Sequence, residues 1–268
     1  MKRYTRFALW LAVAAVAALA AFCILLVVEN WSSRRTAESL LRYVRSVKVG
    51  ETTLADVKPI LDRKGWEEGG LRVSPPRCAG PTYSTGTGTP QLFWSVGLWI
   101  PGLMRWLVSV GFIRVWGATT NWVFEEGKLC EIYFRITVLG FRGESVGWEI
   151  RESTIARRAY DYHPLYFGDN YYVVINPVVK PWIRSLWVRL TPQATAQERQ
   201  LAFDVDLSCL TSFGGCKKLC KVMPSAWRDS AVRFLKANPG FHYEDEYRRD
   251  DLDLDDPDCP AREDHNQP

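Results

Sequence analysis

Histidine is scarce in this 268-residue chain: there are three, His163, His242 and His265, and the last stands near the C-terminus. The chain has no nucleophile elbow, no metalloprotease helix and no nucleotide fingerprint, so catalysis has no local foothold. A dispersed serine triad or carboxylate pair leaves no such signature, which keeps an anchored hydrolase open as an alternative. A C-x-x-C knuckle is also missing, although Cys209, Cys216 and Cys220 are close enough in sequence to be weighed as zinc ligands. No basic run is long enough to recommend nucleic acid as a partner. The acidic end fails as a calcium loop. Asp251, Asp253 and Asp255 alternate as its opening requires, but Asp256 replaces the glycine and Arg262 stands at the twelfth position. No cofactor is expected.

What the chain does have is one long charge-free run, residues 7–28, directly behind Lys2, Arg3 and Arg6. At about 1.5 Å per helical residue this run crosses a hydrocarbon core of roughly 30 Å. Trp10 and Trp31 are spaced to put both indoles at the two water interfaces. A cleaved signal peptide shares the basic start, but the A-x-A-like site at Ala18-Leu19-Ala20 is followed by eight further apolar residues. Cutting there leaves an apolar new N-terminus. A lipoprotein signal needs a small residue before Cys23, and Phe22 occupies that place. An uncleaved anchor is therefore expected, with residues 1–6 inside. The signal-like start puts the body outside, against the pull of Arg34 and Arg35. The location implied is the bacterial inner membrane, crossed once.

The rest divides into a body, residues 32–243, and an acidic tail, residues 244–268, expected to be solvated. With 47% hydrophobic and 13% aromatic residues the chain has ample material for a core. Its charge is uneven. Residues 244–258 are net −7 and the last ten net −1; with these and the +3 of the first six removed from the total of +4, residues 7–243 carry +9. A basic body tethered beside anionic headgroups is drawn to the bilayer, the first expected partner. Outside Cys23 there are six cysteines, Cys78, Cys130, Cys209, Cys216, Cys220 and Cys259. An even set outside the cytoplasm suits disulfides, with buried free thiols and zinc as the alternatives.

Residues 36–47 read as an amphipathic helix, and a second begins near Thr53, whose hydroxyl pairs with Asp56 in a capping-box arrangement. Pro59 predicts a kink or an early stop. Residues 67–90, rich in glycine, proline, serine and threonine, read as a surface loop, and 91–98 as a strand. Residues 99–116 read as an apolar helix, with Arg105, Arg114 and Pro101 against a second span. It is either packed in the body or lying in the outer leaflet, with Trp99, Leu103, Trp106, Leu107 and Val110 as membrane or partner contacts. Residues 119–139 form a hairpin turning at Glu125-Glu126-Gly127, with Trp122 and Phe124 on one face and Cys130, Ile132 and Phe134 facing alike.

The stretch KVGETTLADV followed by WVFEEGKLCEIYF resembles the SmpA/OmlA family of small envelope lipoproteins. Gly50, Thr52 and Val57 match its turn and second helix, and Phe124, Gly127 and Lys128 its F-x-x-G-K hairpin, within residues 37–63 and 118–136. The resemblance implies two helices packed on an antiparallel sheet, and an envelope location. The family's partner-contact residues have no match here.

Strands are expected at 147–151, 170–176 and 185–190. Between the first two lies an aromatic cluster, Tyr160, Tyr162, His163, Tyr166 and Phe167, suited either to glycan stacking or to filling space beneath a sheet. Thr195 and Glu198 form a second capping box opening a helix over 195–210, and a short helix over 225–237 closes the chain. The fold class is α+β: a transmembrane helix, then an extracytoplasmic domain of antiparallel sheet and packed helices. The expected function is a non-enzymatic, membrane-anchored module that binds an envelope protein or the membrane surface, with a glycan-binding or hydrolytic protein as the alternative.

Overall fold

The computed structural model describes residues 2–64, 67–69, 78, 80–89, 93, 95, 100–112, 114–139, 145–154, 171–176, 183–212, 215–216, 218–237 and 259. The chain is α+β. Its first element is one helix, α1, running from Lys2 to Ser46, in which the apolar run and the amphipathic stretch are continuous. No glycine or proline occurs before Gly50, so nothing in the polar residues 29–35 breaks the backbone ladder. The N-terminal part is almost wholly exposed and is long and apolar enough to cross a membrane. The C-terminal part is core: Ala37, Leu40, Leu41 and Val44 are buried against the sheet.

Helix α2, Leu54–Lys64, opens as expected: Thr53 N–H donates to Asp56 Oδ2 at 2.9 Å and Asp56 N–H to Thr53 Oγ1 at 3.4 Å. It does not stop early at Pro59. That residue is exposed, so the acceptor it leaves unused on Ala55 faces water.

Seven strands form one sheet in the order β1-β2-β3-β4-β5-β7-β6: β1 Glu67–Gly69, β2 Thr82–Gly88, β3 Val115–Glu125, β4 Lys128–Leu139, β5 Ser145–Ser153, β6 Tyr171–Asn176 and β7 Ile183–Leu190. All pairs are antiparallel except β5 and β7, which corrects the all-antiparallel expectation. Helix α3, Pro101–Ser109, precedes β3; α4, Ala196–Ala202, and α5, Pro224–Ala237, follow β7.

The 119–139 hairpin is present, and β3 begins earlier, at Val115, so the apolar 99–116 stretch is part helix and part strand. Glu126 and Gly127 both take positive φ, 51° and 78°, as a two-residue type I′ turn requires. A bulge between Val123 and Phe124 pairs Phe124 with Leu129 and Val123 with Glu131. Leu129, fully buried, therefore takes the core place expected of Cys130, which is buried outside the main cluster.

The stretch 67–90, expected to be a surface loop, instead contains β1 and β2. Glycine is required in and beside β2 because β3 runs so close: a Cβ on Gly88 would meet Trp116 O at 2.5 Å, and one on Gly80 would meet Phe124 O at 1.6 Å. Gly80→Ala is expected to destabilise the fold by about 1–3 kcal/mol, measurable as a lower denaturant midpoint. Of the expected strand at 91–98, the described Phe93 and Ser95 are helical.

The helix over 195–210 is also shorter than expected. Its capping box forms, with Glu198 N–H to Thr195 Oγ1 at 3.1 Å and Thr195 N–H to Glu198 Oε2 at 2.7 Å, but α4 ends at Ala202. Asp206 Oδ1 instead accepts from Ser208 N–H at 2.7 Å and opens a single 3₁₀ turn at Ser208–Leu210. Such local side-chain acceptance competes with helix continuation.

From α4, Arg199 reaches Glu152 at the end of β5 and donates to Val47 O beyond α1 at 3.2 Å. Burial pushes the Glu152 carboxyl above its ordinary range, and the nearby guanidinium only partly offsets this. The stability due to this shift is present below the ordinary glutamate range and is lost as pH rises through the raised value. Asp56 works in the opposite direction, because bonds from Thr53 lower its pKa and its contribution is lost as pH falls. Glu152→Gln should remove the Glu152 part of the pH dependence, read as denaturation midpoints from neutral to mildly acidic pH.

Candidate functional site

Alternation along the strands sends one set of side chains into the core and the other to the opposite face of the sheet. The core side holds Trp122, Phe124, Ile132, Phe134, Ile136, Trp148, Ile150, Leu186 and Val188, all buried. The opposite face is charged. There β4 contributes Glu131, Tyr133 and Arg135, β5 Glu149 and Arg151, and β7 Trp187 and Arg189, around a cleft of about 240 Å³. Asn121 and Val123 of β3, Thr82 of β2 and Cys78 complete its lining.

Glu149 is almost wholly buried and sits between two guanidiniums, with Arg135 Nη2 at 2.7 Å and Arg189 Nη1 at 3.1 Å. Glu131, equally buried, pairs with Arg151. Asn121 donates to the Tyr133 hydroxyl. The register explains the arrangement: Arg135 lies opposite Glu149, and Arg151 lies opposite both Tyr133 and Arg189. Two neighbouring arginines would repel each other, and the carboxylates on either side hold them together. Three guanidiniums against two carboxylates leave the described lining of the cleft net positive. Arg151 Nε is buried with no hydrogen-bond acceptor among the described residues.

Chemically, the cleft offers fixed donors and acceptors whose charges are already matched within the protein. Preorganised ion pairs of this kind suit recognition of a polar surface, since their orientation is set before contact. Arg135, half exposed, is the member that a partner reaches most easily.

The six cysteines outside α1 pair at disulfide distance: Cys78 with Cys130, Cys209 with Cys216 and Cys220 with Cys259, at Cα separations of 5.9, 5.0 and 5.8 Å. This overturns both the zinc trio and the free-thiol alternative, because a sulfur engaged with another sulfur is not a thiolate ligand. Cys78, Cys130 and Glu125 cluster within ligand distance, and the same reasoning applies to them. Cys23 alone is free among the cysteines.

Among the proposed contact residues, Trp106 and Val110 are exposed, Leu103 is half-buried, and Leu107 is buried against protein and so cannot serve as a surface contact. Trp99 lies outside the described residues, as do Tyr160, Tyr162, His163, Tyr166, Phe167 and all of the acidic tail except Cys259. The charged face itself went unread in sequence. Its signal was the alternation of Glu131, Tyr133 and Arg135 with Ile132, Phe134 and Ile136, a polar row interleaved with an apolar one. No family model, curated protein or solved structure matches the chain.

Proposed function

We propose that this chain is a single-pass protein of the bacterial inner membrane, its body outside the cytoplasm, that works by binding rather than by catalysis. The observation that carries the reading is α1, in which a membrane-length apolar segment runs without a break into the core of the folded body. A body built on its own anchor is held at the bilayer surface in one orientation, unlike a domain on a flexible linker. The paired cysteines support an oxidising compartment.

The resemblance to the SmpA/OmlA family remains part of this proposal. The two motif halves, distant in sequence, hydrogen-bond to each other: Gly50 N–H to Leu129 O at 2.7 Å, Leu129 N–H to Thr52 O at 2.8 Å and Leu54 N–H to Gly127 O at 3.1 Å. The partner assigned to the charged cleft is a polar surface of another envelope protein. Glu131 and Glu149, the buried carboxylates of the cleft, are each paired with arginine; the hydrolase alternative rests on the aromatic segment around His163, which lies outside the described residues.

A photoreactive residue at Thr119, exposed and opposite Arg135 in register, tests this in living cells. Adducts with an envelope protein are expected from position 119 and should disappear with Arg135→Glu. Adducts that form equally with the charge reversed, or none at all, would contradict the cleft as the contact.

A further inference from the structure

Helix α3 has two unlike sides. Met104, Leu107 and Val108 are buried in a small cluster separate from the main core, together with Phe93 and with Leu26 of α1, which is fully buried; half-buried Phe22 of α1 and Val115 of β3 pack against it. The outward side is also apolar. Ile100 is 51% exposed, Trp106 56%, Val110 39% and Phe112 37%, and Leu139 at the end of β4 is 42% exposed. No acidic residue lies on α3, and its single charge is Arg105.

The position of α3 follows from its partners. Leu26 is five residues and Phe22 nine residues before Trp31, so they lie about 7.5 and 13.5 Å along the helix axis from the ring that marks the interface. A helix clamped to both cannot stand in water while residues 7–28 span the bilayer. Its depth falls near the 5–10 Å at which in-plane amphipathic helices lie in the headgroup and acyl boundary.

Its ends fit that solvent. Pro101 at the start removes a backbone donor that would go unmet. At the other end Phe112 N–H reaches Leu107 O and Gly111 N–H reaches Val108 O, both at 3.0 Å, with Gly111 at φ 75°. This is a complete Schellman motif, which satisfies carbonyls that lipid cannot.

The geometry points to α3 as an in-plane membrane element, with Ile100, Trp106, Val110 and Phe112 seated in the lipid of the leaflet nearest the body. The inference rests on the anchor reading and deepens it. A span and a second embedded helix give two contacts, and these fix how the charged cleft is turned relative to the bilayer.

The test uses the full chain with Cys23→Ser, reconstituted in phosphatidylcholine and phosphatidylglycerol vesicles, carrying one spin label at W106C, V28C or E126C. Accessibility to oxygen is compared with accessibility to a water-soluble nickel chelate. Position 106 should resemble position 28, with oxygen favoured and the chelate excluded, while position 126 shows the reverse. A label at 106 that meets the chelate as freely as at 126, while 28 stays protected, overturns the in-plane helix and leaves the anchor intact. Free chelate access at both 28 and 106 would sink the anchor reading and this inference together.

Discussion

Trp122→Ala is expected to cost about 3–5 kcal/mol of folding free energy, the range for truncating a fully buried tryptophan. Trp122 is 0% exposed, and the Tyr43 ring of α1 lies 5.3 Å from it, centroid to centroid. Its indole N–H donates to Thr120 Oγ1, so truncation leaves a cavity and removes a buried hydrogen bond. The side chain joins the sheet to the helix that carries the long apolar segment. Since small proteins hold only about 5–15 kcal/mol in all, much of the body's stability depends on this contact. Denaturant titration of the full chain in micelles provides the measurement. A midpoint shift no larger than that of Trp106→Ala, on the exposed side of α3, would show that α1 does not pack on the sheet as described.

Breaking the sulfur pairs should have effects of the same order, graded by loop length. Cys78 and Cys130 are 52 residues apart, Cys220 and Cys259 39, and Cys209 and Cys216 only 7. The chain-entropy relation gives about 4 kcal/mol for each of the two long loops and about 2.5 for the short one. The paired serine variant at 78 and 130 therefore should lose clearly more than the one at 209 and 216. The long pairs also do different work. Cys78–Cys130 closes the edge of the charged cleft, while Cys220–Cys259 ties a residue of the acidic end to the segment before α5. Equal losses for all three, or a larger loss for the short loop, would refute this ordering.

The elements legible in the sequence share one property, which is that burial of a single face imposed a period. Residues 119–139 alternate because one side meets α1 and the other the cleft, so the hairpin could be read directly. Both capping boxes were equally clear, since Thr53 with Asp56 and Thr195 with Glu198 are local chemistry. Strand β2 was obscured because, apart from Tyr83, its residues are Thr, Ser and Gly, small enough for the close approach of β3. The continuity of α1 was hidden by residues 29–35, whose polarity resembles a linker although every one of them is helix-compatible. Asn30, within that stretch, is buried and accepts from the Trp116 indole at 2.8 Å, a tertiary contact that no local pattern announces. The parallel pairing of β5 with β7 likewise depends on a chain path that periodicity does not encode.

The cleft was harder to read because each charged residue on its own resembles an ordinary solvated face. Only the register puts Glu149 between Arg135 and Arg189, and Arg151 beside Glu131. The resulting burial of Glu131 and Glu149 belongs to the sheet and not to either strand alone.

Sidedness decides between this reading and its rivals most directly. In bacteria with a permeable outer membrane, a membrane-impermeant maleimide is applied to chains carrying either E126C, at the exposed hairpin turn, or K2C, at the basic N-terminus. Six native cysteines are paired and Cys23 lies within the apolar run, so the added thiol is the one that reports. Position 126 should react in intact cells, and position 2 only once the inner membrane is opened; the opposite order, or both positions reacting in a soluble fraction, would contradict the anchored, outward-facing body.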